Sequence, residues 1–564
     1  MDTIRSNLSQ YNPGFDFVIA VTQESINQTA LHFLNTQQPE VVACYVADST
    51  GAPVPIDPAL LHTQTGGVDP FSIPAGTNPA VDDRLRALTK ARFVFGVKAV
   101  MGIPPVDDPS SLPDIVGLGA DASACTFQLL CKEFVLVHMN PAAPGPATLQ
   151  RVEQPHNNPW VFKYQCRLSP QQTAGADYIK SARFADLPEA LKQRLNAHPK
   201  DFTINELVAD FTAATVTPPT ISNVDAGLIK VLNKDFGQTY YNQMKLAGRP
   251  VIAVTPSAGG PDERWVAEYS VQPLLNGDGS DIPHPDHDQQ RLATLNYLCV
   301  AGGPVPQAPP RFPWNWVGDR ATQGVCAFNR NSLAKFFRSR LDDHVASNCW
   351  FPHPVLSITT AFTAQRAFRL VAKNRWGALV PSNPPDSTYQ VVCPPTGRDL
   401  VTWDFTCYVP NDEWCGNFLE VTSTFKMSVT VDGANTVFIR QRNTIYVYMR
   451  MMGFVRRYGN FVDIETTEEL TLGVTADGNL SVTGTHEQKN YSVDPNYWAS
   501  AVYHVDLPKY ADVANQVVAT GLTDVPVAGL RDVVFPGGKA FSFSKVAFTD
   551  HYDLLAHITY RNVD

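Results

Sequence analysis

FVIAVTQESINQTALHFL, residues 17–34, has a near copy 307 positions further along the chain, where residues 324–341 read GVCAFNRNSLAKFFRSRL. Aligned without a gap, the stretches share valine at 18 and 325, alanine at 20 and 327, serine at 25 and 332, and leucine at 34 and 341. Each predicts a short apolar strand, a polar break and then an amphipathic helix. Such a repeat indicates two copies of one module. A chance likeness between two ordinary amphipathic helices is the alternative.

The polar break in each copy carries residues that favour a helix start. The Thr22 hydroxyl can accept a hydrogen bond from a free amide of the first helical turn, and Asn329 or Asn331 can do the same in the second copy. The apolar faces of the two helices then supply candidate ligand-contacting side chains, although such aromatic stripes are more often core. These candidates are Ile26, Phe33, Phe336 and Phe337.

Length and charge restrict the classes of protein. A chain of 564 residues is too long for one core, since single cores stop growing at roughly 250–300 residues. We therefore expect a first module at 1–318 and a second at 319–564. The net charge of −10 argues against a basic surface for nucleic acid, so no nucleic-acid partner is expected.

The sequence also carries information on the cellular compartment of the protein. We find no apolar run long enough for a transmembrane segment and no signal-peptide pattern at the N-terminus. The ten cysteines include no pair with the spacing of a zinc site. Several lie within predicted apolar strands, where a free thiol behaves as a small hydrophobic side chain. We therefore expect a cytoplasmic protein in a reducing compartment.

Hydrophobic patterning predicts an α+β protein with long antiparallel strands. Residues 419–431 alternate apolar and polar side chains with strict period two, as a half-buried strand does. Asp-Gly pairs at 432–433 and 477–478 predict hairpin turns. Residues 228–246 form the longest helical pattern, and a further helix is expected at about 509–520. Strands are expected at 126–138 and, closing the first module, at 304–317.

Several segments together resemble a known family. They are GFDFVIAVTQESINQTALHFL at 14–34, FTINELVADFTAAT at 202–215, QTYYNQMKLAGRPVIAV at 238–254, and LNYLCVAGG followed by FPWNWV between 295 and 317. This pattern resembles the clostridial P-47-type proteins of the tubular lipid-binding (TULIP) superfamily. The resemblance covers most of residues 14–330, and the second half matches by its repeat and its β character.

The resemblance implies an elongated molecule of two TULIP-like modules. Each would be a long, highly curved antiparallel sheet wrapped on a long helix. It also implies binding of lipid or another apolar small molecule. The family offers no catalytic residue to carry over, and we expect no cofactor.

Three local clusters suggest other chemistry, and each has a simpler interpretation. His284, Asp286, His287 and Asp288 have metal-ligand side chains, but a solvated Gly/Asp/Pro loop is favoured, so no metal is expected. Cys349 and His353 form a possible thiol–imidazole pair, for which a packed turn is the simpler explanation. Basic side chains could meet lipid phosphates, although an ordinary solvated surface is the favoured interpretation; they are Lys335, Arg338, Arg340, Arg456 and Arg457.

Three functions are compatible with these features. The first is non-catalytic binding of lipid or another apolar molecule, with a protein partner possible as well. The second is an enzyme that uses the same apolar cavity for cyclisation or isomerisation of a hydrophobic metabolite, which needs few catalytic groups and leaves no motif. The third is a scaffold subunit of a toxin or secretion complex, by analogy with the family's gene context.

Overall fold

The protein is described here from a computed structural model. It covers residues 5–560 with gaps at 12–13, 37, 79, 109–111, 120–124, 141–147, 182–183, 185–191, 194–195, 197–201, 218, 220, 222–223, 225, 247–250, 259–265, 301–310, 319–321, 361–362, 373–385, 395–396, 415, 433, 452–454, 477, 479 and 494–540. The helix expected at 509–520 lies outside the described residues.

The described helices are short except for two. They span Leu8–Tyr11 (α1), Gln23–Thr36 (α2), Pro58–Gln64 (α3), Asp83–Lys90 (α4), Gly175–Tyr178 (α5), Ala226–Leu246 (α6), His287–Arg291 (α7) and Arg330–Asn348 (α8). The expected helix at 228–246 is confirmed as α6. None of the helices in the described ranges is both long and apolar enough to cross a membrane.

A six-stranded antiparallel sheet joins the two halves of the chain. Its strands in spatial order are Val266–Gln272 (β12), Thr294–Cys299 (β13), Phe17–Thr22 (β1), Gly324–Phe328 (β14), Leu554–Tyr560 (β24) and Phe541–Phe548 (β23). The two similar stretches therefore supply the middle strands, β1 and β14, which pair with each other. Gly324 is required at this contact, because a Cβ there would lie 2.6 Å from the Ala20 carbonyl oxygen.

The registers of this central sheet are symmetric. Ile19 pairs with Cys326 at the centre of β1 and β14, and Phe17 pairs with Phe328 as Val21 pairs with Gly324. Exchanging each residue for the one 307 positions away leaves the Ile19–Cys326 pair unchanged and converts the Phe17–Phe328 pair into the Val21–Gly324 pair. The outer strands share an irregularity, a β-bulge between Val266 and Glu268 in β12 and one between Phe543 and Lys545 in β23.

The first half contains two five-stranded antiparallel sheets, where we expected one long sheet. One has the order β3-β2-β4-β7-β8, from Pro53–Ile56, Glu40–Ala47, Phe93–Met101, Cys131–Asn140 and Thr148–Glu153. The other has the order β11-β10-β9-β6-β5, from Val251–Ala258, Phe202–Thr217, Phe162–Ala174, Cys125–Leu129 and Val116–Gly117. Helix α6 packs against β2, β9 and β10, so it contacts both sheets.

The single strand expected at 126–138 is wrong in one respect. It is interrupted at Leu130, where the chain passes from β6 in one sheet to β7 in the other. The Leu130 carbonyl accepts a hydrogen bond from the Tyr240 hydroxyl of α6 at 2.7 Å. The same carbonyl also accepts from the Gly102 amide at 3.5 Å, so helix α6 and the backbone share it, and no hydrophobic pattern reports such a switch.

The second half is dominated by a six-stranded antiparallel sheet of long strands. In spatial order these are Asp386–Val392 (β17), Asp399–Trp414 (β18), Asn417–Val431 (β19), Thr436–Met451 (β20), Val455–Val474 (β21) and Leu480–Asn490 (β22). Helix α8 packs on β18, and the Trp403 indole donates to Asp342 of α8 at 3.0 Å. A hairpin of Trp350–Thr360 (β15) and Thr363–Ala372 (β16) follows α8 and lies against β18 and β19.

Several local predictions hold. Thr22 caps α2 by accepting a hydrogen bond from the Ser25 amide at 3.2 Å, and Asn329 rather than Asn331 caps α8, accepting from the Asn331 amide at 2.9 Å. In β19 the odd-numbered side chains from 419 to 431 are buried and the even-numbered ones are not. The predominance of antiparallel sheets with packed helices confirms the α+β class.

The closing strand expected at 304–317 is not formed in its described part, residues 311–317. Phe312, Trp314 and Trp316 are buried there, against the face of the central sheet that carries Val18 and Ala20. Side-chain amides replace strand pairing, because Gln272 donates to the Phe312 carbonyl and accepts from its amide. The prolines of this segment remove ladder donors, so aromatic burial occurs without a strand.

Candidate functional site

Of the four sequence-predicted ligand residues, the structure places Ile26, Phe336 and Phe337 in two separate cores. Ile26 is buried in the large core of the first half. Phe337 is buried in the core under α8, and Phe336 is half-buried beside it with its ring edge-on, 5.6 Å between centroids. The side chain of Phe33 lies outside the described residues. Ile26 and the phenylalanine pair therefore do not line one common wall.

The interior of the first half is filled by aromatic rings. Tyr45 stacks on Phe95 with 4.2 Å between ring centroids, and Phe236 of α6 contacts both Phe134 and Phe162. These rings occupy the space between the two five-stranded sheets and α6.

The six-stranded sheet of the second half has an inner face, the one that packs on α8. Two apolar clusters lie on this face. The helix cluster lies under α8 and includes Phe337, Leu341, Val345, Trp403, Phe405, Phe425, Met427, Ile439 and Leu470. The far cluster lies further along the same strands and consists of Leu419, Val421, Ile445, Val447, Met449, Val462 and Ile464.

A polar band separates the two clusters. Its members are Gln441, Asn443, Thr466 and Glu468, each no more than 6% exposed. They lie together because Gln441 pairs with Thr466 across β20 and β21, and each strand adds one more polar side chain two residues along, on the same face. A buried polar group needs a hydrogen-bond partner, so the partner of each member of the band has to be identified.

Two members of the band have partners. Gln441 Oε1 lies 2.6 Å from Nε2 of His344 on α8, and a glutamine oxygen can only accept, so His344 is the donor. The Glu468 carboxylate lies 3.6 Å from Nδ1 of His486 on β22. Helix α8 ends one turn beyond His344, at Asn348, so the band lies close to the C-terminal end of the helix.

Asn443 and Thr466 have no partner in the part of the chain that the structure describes. Both amide atoms of Asn443 and the hydroxyl of Thr466 are buried without a hydrogen bond. Leaving a buried donor or acceptor unpaired costs about 1–3 kcal/mol. A protein tolerates this cost most readily where a ligand or a water molecule completes the hydrogen bonds.

Sequence reasoning missed this band, although a signal is present. The inward-facing positions of β20 read Val437, Ile439, Gln441, Asn443, Ile445, Val447 and Met449. Two consecutive amides interrupt an otherwise apolar face. Alternation alone identifies the strand, whereas the interruption identifies the position of the site.

A polar cleft of about 430 Å³ lies elsewhere, at the start of α8, and is lined by Asn7, Ser9, Gln10, Arg330, Asn331, Gly397, His551 and Tyr552. Arg330 donates to the Asp399 carbonyl at 2.7 Å and lies over the Tyr552 ring. Ile26, Phe336 and Phe337 are not among the residues that line this cleft. Its lining does not suit an apolar molecule.

Among the remaining sequence candidates, Asp286 has a structural role. Asp286 caps α7 in a reciprocal capping box with Gln289, and His287 is half-exposed beside Asp114. No group of three or more metal-ligand side chains is arranged for a metal ion within the described ranges. Cys349 is fully buried, while the side chain of His353 lies outside the described residues.

The basic side chains of α8 lie at the surface. Lys335, Arg338 and Arg340 are exposed, and Arg338 is paired with Asp342 at 3.6 Å. Arg456 is also exposed, whereas Arg457 is half-buried opposite Met449.

Comparison with known proteins gives structural matches at low sequence identity. No protein-family profile matches the sequence, and no curated protein matches it. The structure of P47 from Clostridium botulinum E1 matches with a TM-score of 0.40 and 10% identity, covering 97% of this chain and 99% of that one. P47 from Clostridium botulinum A2 gives the same TM-score and identity, with 97% of each chain covered.

A lipopolysaccharide binding protein also matches, with a TM-score of 0.27 and 8% identity over 97% of this chain and 99% of that one. The structural matches thus include proteins of the kind that the sequence resembles.

Proposed function

We propose that this protein binds a lipid or another apolar small molecule without catalysis. The molecule would lie on the inner face of the six-stranded sheet of the second half, β17–β22. The observation that carries the proposal is the far cluster, seven buried apolar side chains bounded by the polar band. A buried apolar cluster bounded by unpaired polar groups has the composition of a ligand site. The packed first half then has a supporting role.

The sequence-predicted contacts form part of the same proposal. In this proposal Phe336 and Phe337 belong to the helix cluster, on the other side of the polar band from the far cluster, and would contact only a ligand that reaches across the band. Ile26 and Phe33, from the corresponding helix of the first half, would be their counterparts there. Phe336 is the most accessible of the residues whose side chains are described, so it is the most informative to change.

We further propose that the molecule consists of two TULIP-like modules, 1–318 and 319–564, each a curved sheet on a long helix. The symmetric registers of the central sheet support this division, because β12, β13 and β1 stand on one side of its midline and β14, β24 and β23 on the other. The shared bulges in β12 and β23 support it independently. An elongated shape and a cytoplasmic location remain predictions of the same proposal.

Extraction of the purified protein with organic solvent, followed by mass spectrometry, tests the binding function. We expect one class of apolar molecule in stoichiometric amount, recovered also from protein that has been washed with detergent-free buffer. Recovery of no such molecule, together with no uptake of added lipids, would contradict the proposal and favour a scaffold role for two packed modules.

The enzyme alternative has one observation in its favour. Glu468 and His344 are an acid and a base at the polar band, within the proposed site. Incubating the protein with the extracted molecule distinguishes the two functions. Release of the molecule unchanged supports binding alone, whereas conversion that is lost in Glu468→Gln identifies an enzyme.

A further inference from the structure

Two of the buried cysteines lie directly opposite each other in the first half. Cys125 opens β6 and Cys166 lies within β9, and the antiparallel register of these strands pairs the two residues. Both side chains are buried, at 1% and 4% exposure. The next inward-facing pair of the same strands is Phe127 with Tyr164, so the cysteines continue a row of core side chains.

The backbone geometry of such a pair suits a disulfide. Residues that face each other directly in an antiparallel sheet have Cα atoms about 4.5 or 5.5 Å apart. Both separations lie within the roughly 4.4–6.8 Å that a disulfide spans. The Cβ atoms of opposite residues are about 4.5–5.5 Å apart, and a disulfide brings them to about 3.5–4.5 Å. The bond therefore requires at most a small approach of the two strands.

The two thiols already contact each other. They share a hydrogen bond, which together with burial raises the pKa of the Cys125 thiol well above its usual value. Both cysteines are free, so the structure describes the reduced form. A thiol must lose its proton before it attacks a disulfide, so the pair should be oxidised slowly while it is buried.

We propose that Cys125 and Cys166 form a disulfide when a small disulfide, such as glutathione disulfide, reaches them during folding or local opening of β6. The thiolate of one cysteine attacks the small disulfide and releases its first thiol. The thiolate of the second cysteine then attacks the mixed disulfide and releases the other. The two cysteines are oxidised and the small disulfide is reduced to two thiols, which take up the two protons that the cysteines lose.

The bond closes a loop that passes through both five-stranded sheets of the first half. Between Cys125 and Cys166 the chain forms β7 and β8, which belong to the other sheet. On its far side β6 pairs only with the two-residue strand β5 among the described strands. Closing a loop of about 40 residues restricts the unfolded chain, so the disulfide should stabilise the folded first half.

The test starts from the folded, reduced, full-length protein. It is incubated at pH 8 with an excess of glutathione disulfide, in urea below the unfolding midpoint, so that β6 can open locally. The remaining thiols are then blocked, and peptide mapping by mass spectrometry identifies the linked cysteines. We expect one dominant link, between Cys125 and Cys166, and none in a sample kept with a reducing agent. The mapping uses the wild type, so it does not depend on the folding of any variant.

Single substitutions supply the controls. Cys125→Ala and Cys166→Ala should each abolish the link. Cys131→Ala changes another buried cysteine, which lies opposite Met101 rather than a second thiol, and it should keep the link.

Thermal unfolding measures the consequence of the bond. The oxidised wild type should unfold roughly 5 °C or more above the reduced wild type, the shift expected for closure of a loop of this size. Oxidised and reduced samples of Cys125→Ala should unfold at the same temperature, whereas those of Cys131→Ala should differ as the wild-type samples do.

Free thiols at both positions after the treatment would overturn the proposal, as would a main product that links either cysteine to a different one. A Cys125–Cys166 link that leaves the unfolding temperature unchanged would overturn the stabilising effect. Both results are independent of the proposed lipid binding, which these measurements do not probe.

Discussion

His344 of α8 donates a hydrogen bond from Nε2 to Gln441 Oε1 of β20 at 2.6 Å, which ties the last part of the helix to the middle of the long sheet. Gln441 is buried, and His344 is the described partner of its oxygen. The contact therefore sets the level at which the helix cluster ends and the polar band begins.

Replacing His344 by alanine should destabilise the second half. The substitution leaves the buried Gln441 oxygen unpaired, at a cost of about 1–3 kcal/mol in the free energy of unfolding. Denaturation in urea measures the change. Ser347→Ala, at an exposed position of the same helix, is the control and should change stability by less than about 0.5 kcal/mol. Equal effects of the two substitutions would show that the hydrogen bond is not a stabilising contact.

Gly237 should tolerate no side chain, because the ring of Tyr164 occupies its surroundings. A Cβ at 237 would lie 2.2 Å from the ring. The Tyr164 hydroxyl also donates to the Asn233 carbonyl at 3.1 Å, which holds the ring against α6. We expect Gly237→Ala to cost about 1–3 kcal/mol through overpacking, even though alanine is the better helix former.

A double-mutant cycle isolates that cause. In a Tyr164→Leu background the smaller side chain makes room, so Gly237→Ala should cost less than it does alone. Additive effects of the two substitutions would mean that the clash with the ring is not the reason.

The buried carboxyl of Asp553 should make stability depend on pH. Burial raises its pKa from 3.8 to about 6, against the opposing effect of hydrogen bonds from the Leu8 amide, the Ser6 hydroxyl and the Arg330 amide. The folded state then holds a proton that the unfolded state has lost, so this group's contribution to stability decreases as pH rises from about 4 to about 6. The full difference is on the order of 3 kcal/mol for a shift of this size.

Asp553→Asn should remove this component. Urea denaturation at pH 4.5 and pH 7 would show a smaller difference between the two pH values in the variant than in the wild type. Asp550→Asn, at an exposed position three residues away, should leave the wild-type difference unchanged. Identical pH dependence in wild type and Asp553→Asn would contradict the buried-carboxyl explanation.

The thiols of the protein should react slowly in the native state. All nine cysteines of the described ranges are free, and all but Cys393 are buried. Burial also raises the pKa of the Cys44 thiol to about 12, so little thiolate is available there to react. We expect a slow reaction of the buried thiols with a disulfide reagent and a faster one at Cys393, identified by its loss in Cys393→Ser. Rapid reaction of most thiols without denaturant would contradict the packed cores.

Local rules predicted the elements whose structure depends on neighbours in sequence. Thr22 and Asn329 cap their helices because the hydroxyl or amide lies within reach of the first turn, and β19 follows its own alternation. The break at Leu130 and the strandless burial of Phe312 were not predictable in this way. Each depends on a distant side chain, Tyr240 in one case and Gln272 in the other.

Prediction of the candidate site from the sequence has the same limit. The predicted aromatic residues, Phe336 and Phe337, follow from helical spacing and lie at one core of the second half. The polar band depends on which residues of β21 stand opposite Gln441 and Asn443. Register between strands is a long-range property, so the two interrupting amides could be noticed in the sequence but not paired with Thr466 and Glu468.

The most direct test of the central claim is native mass spectrometry of the wild type beside two tryptophan variants. Val421→Trp fills the far cluster, whereas Thr422→Trp places the same ring on the opposite, half-exposed face of β19. With both variants folded by circular dichroism, we predict a discrete bound mass in the wild type and in Thr422→Trp, and its loss in Val421→Trp. A bare mass in the wild type, or a bound mass that survives in Val421→Trp, would contradict ligand binding on the inner face of the long sheet.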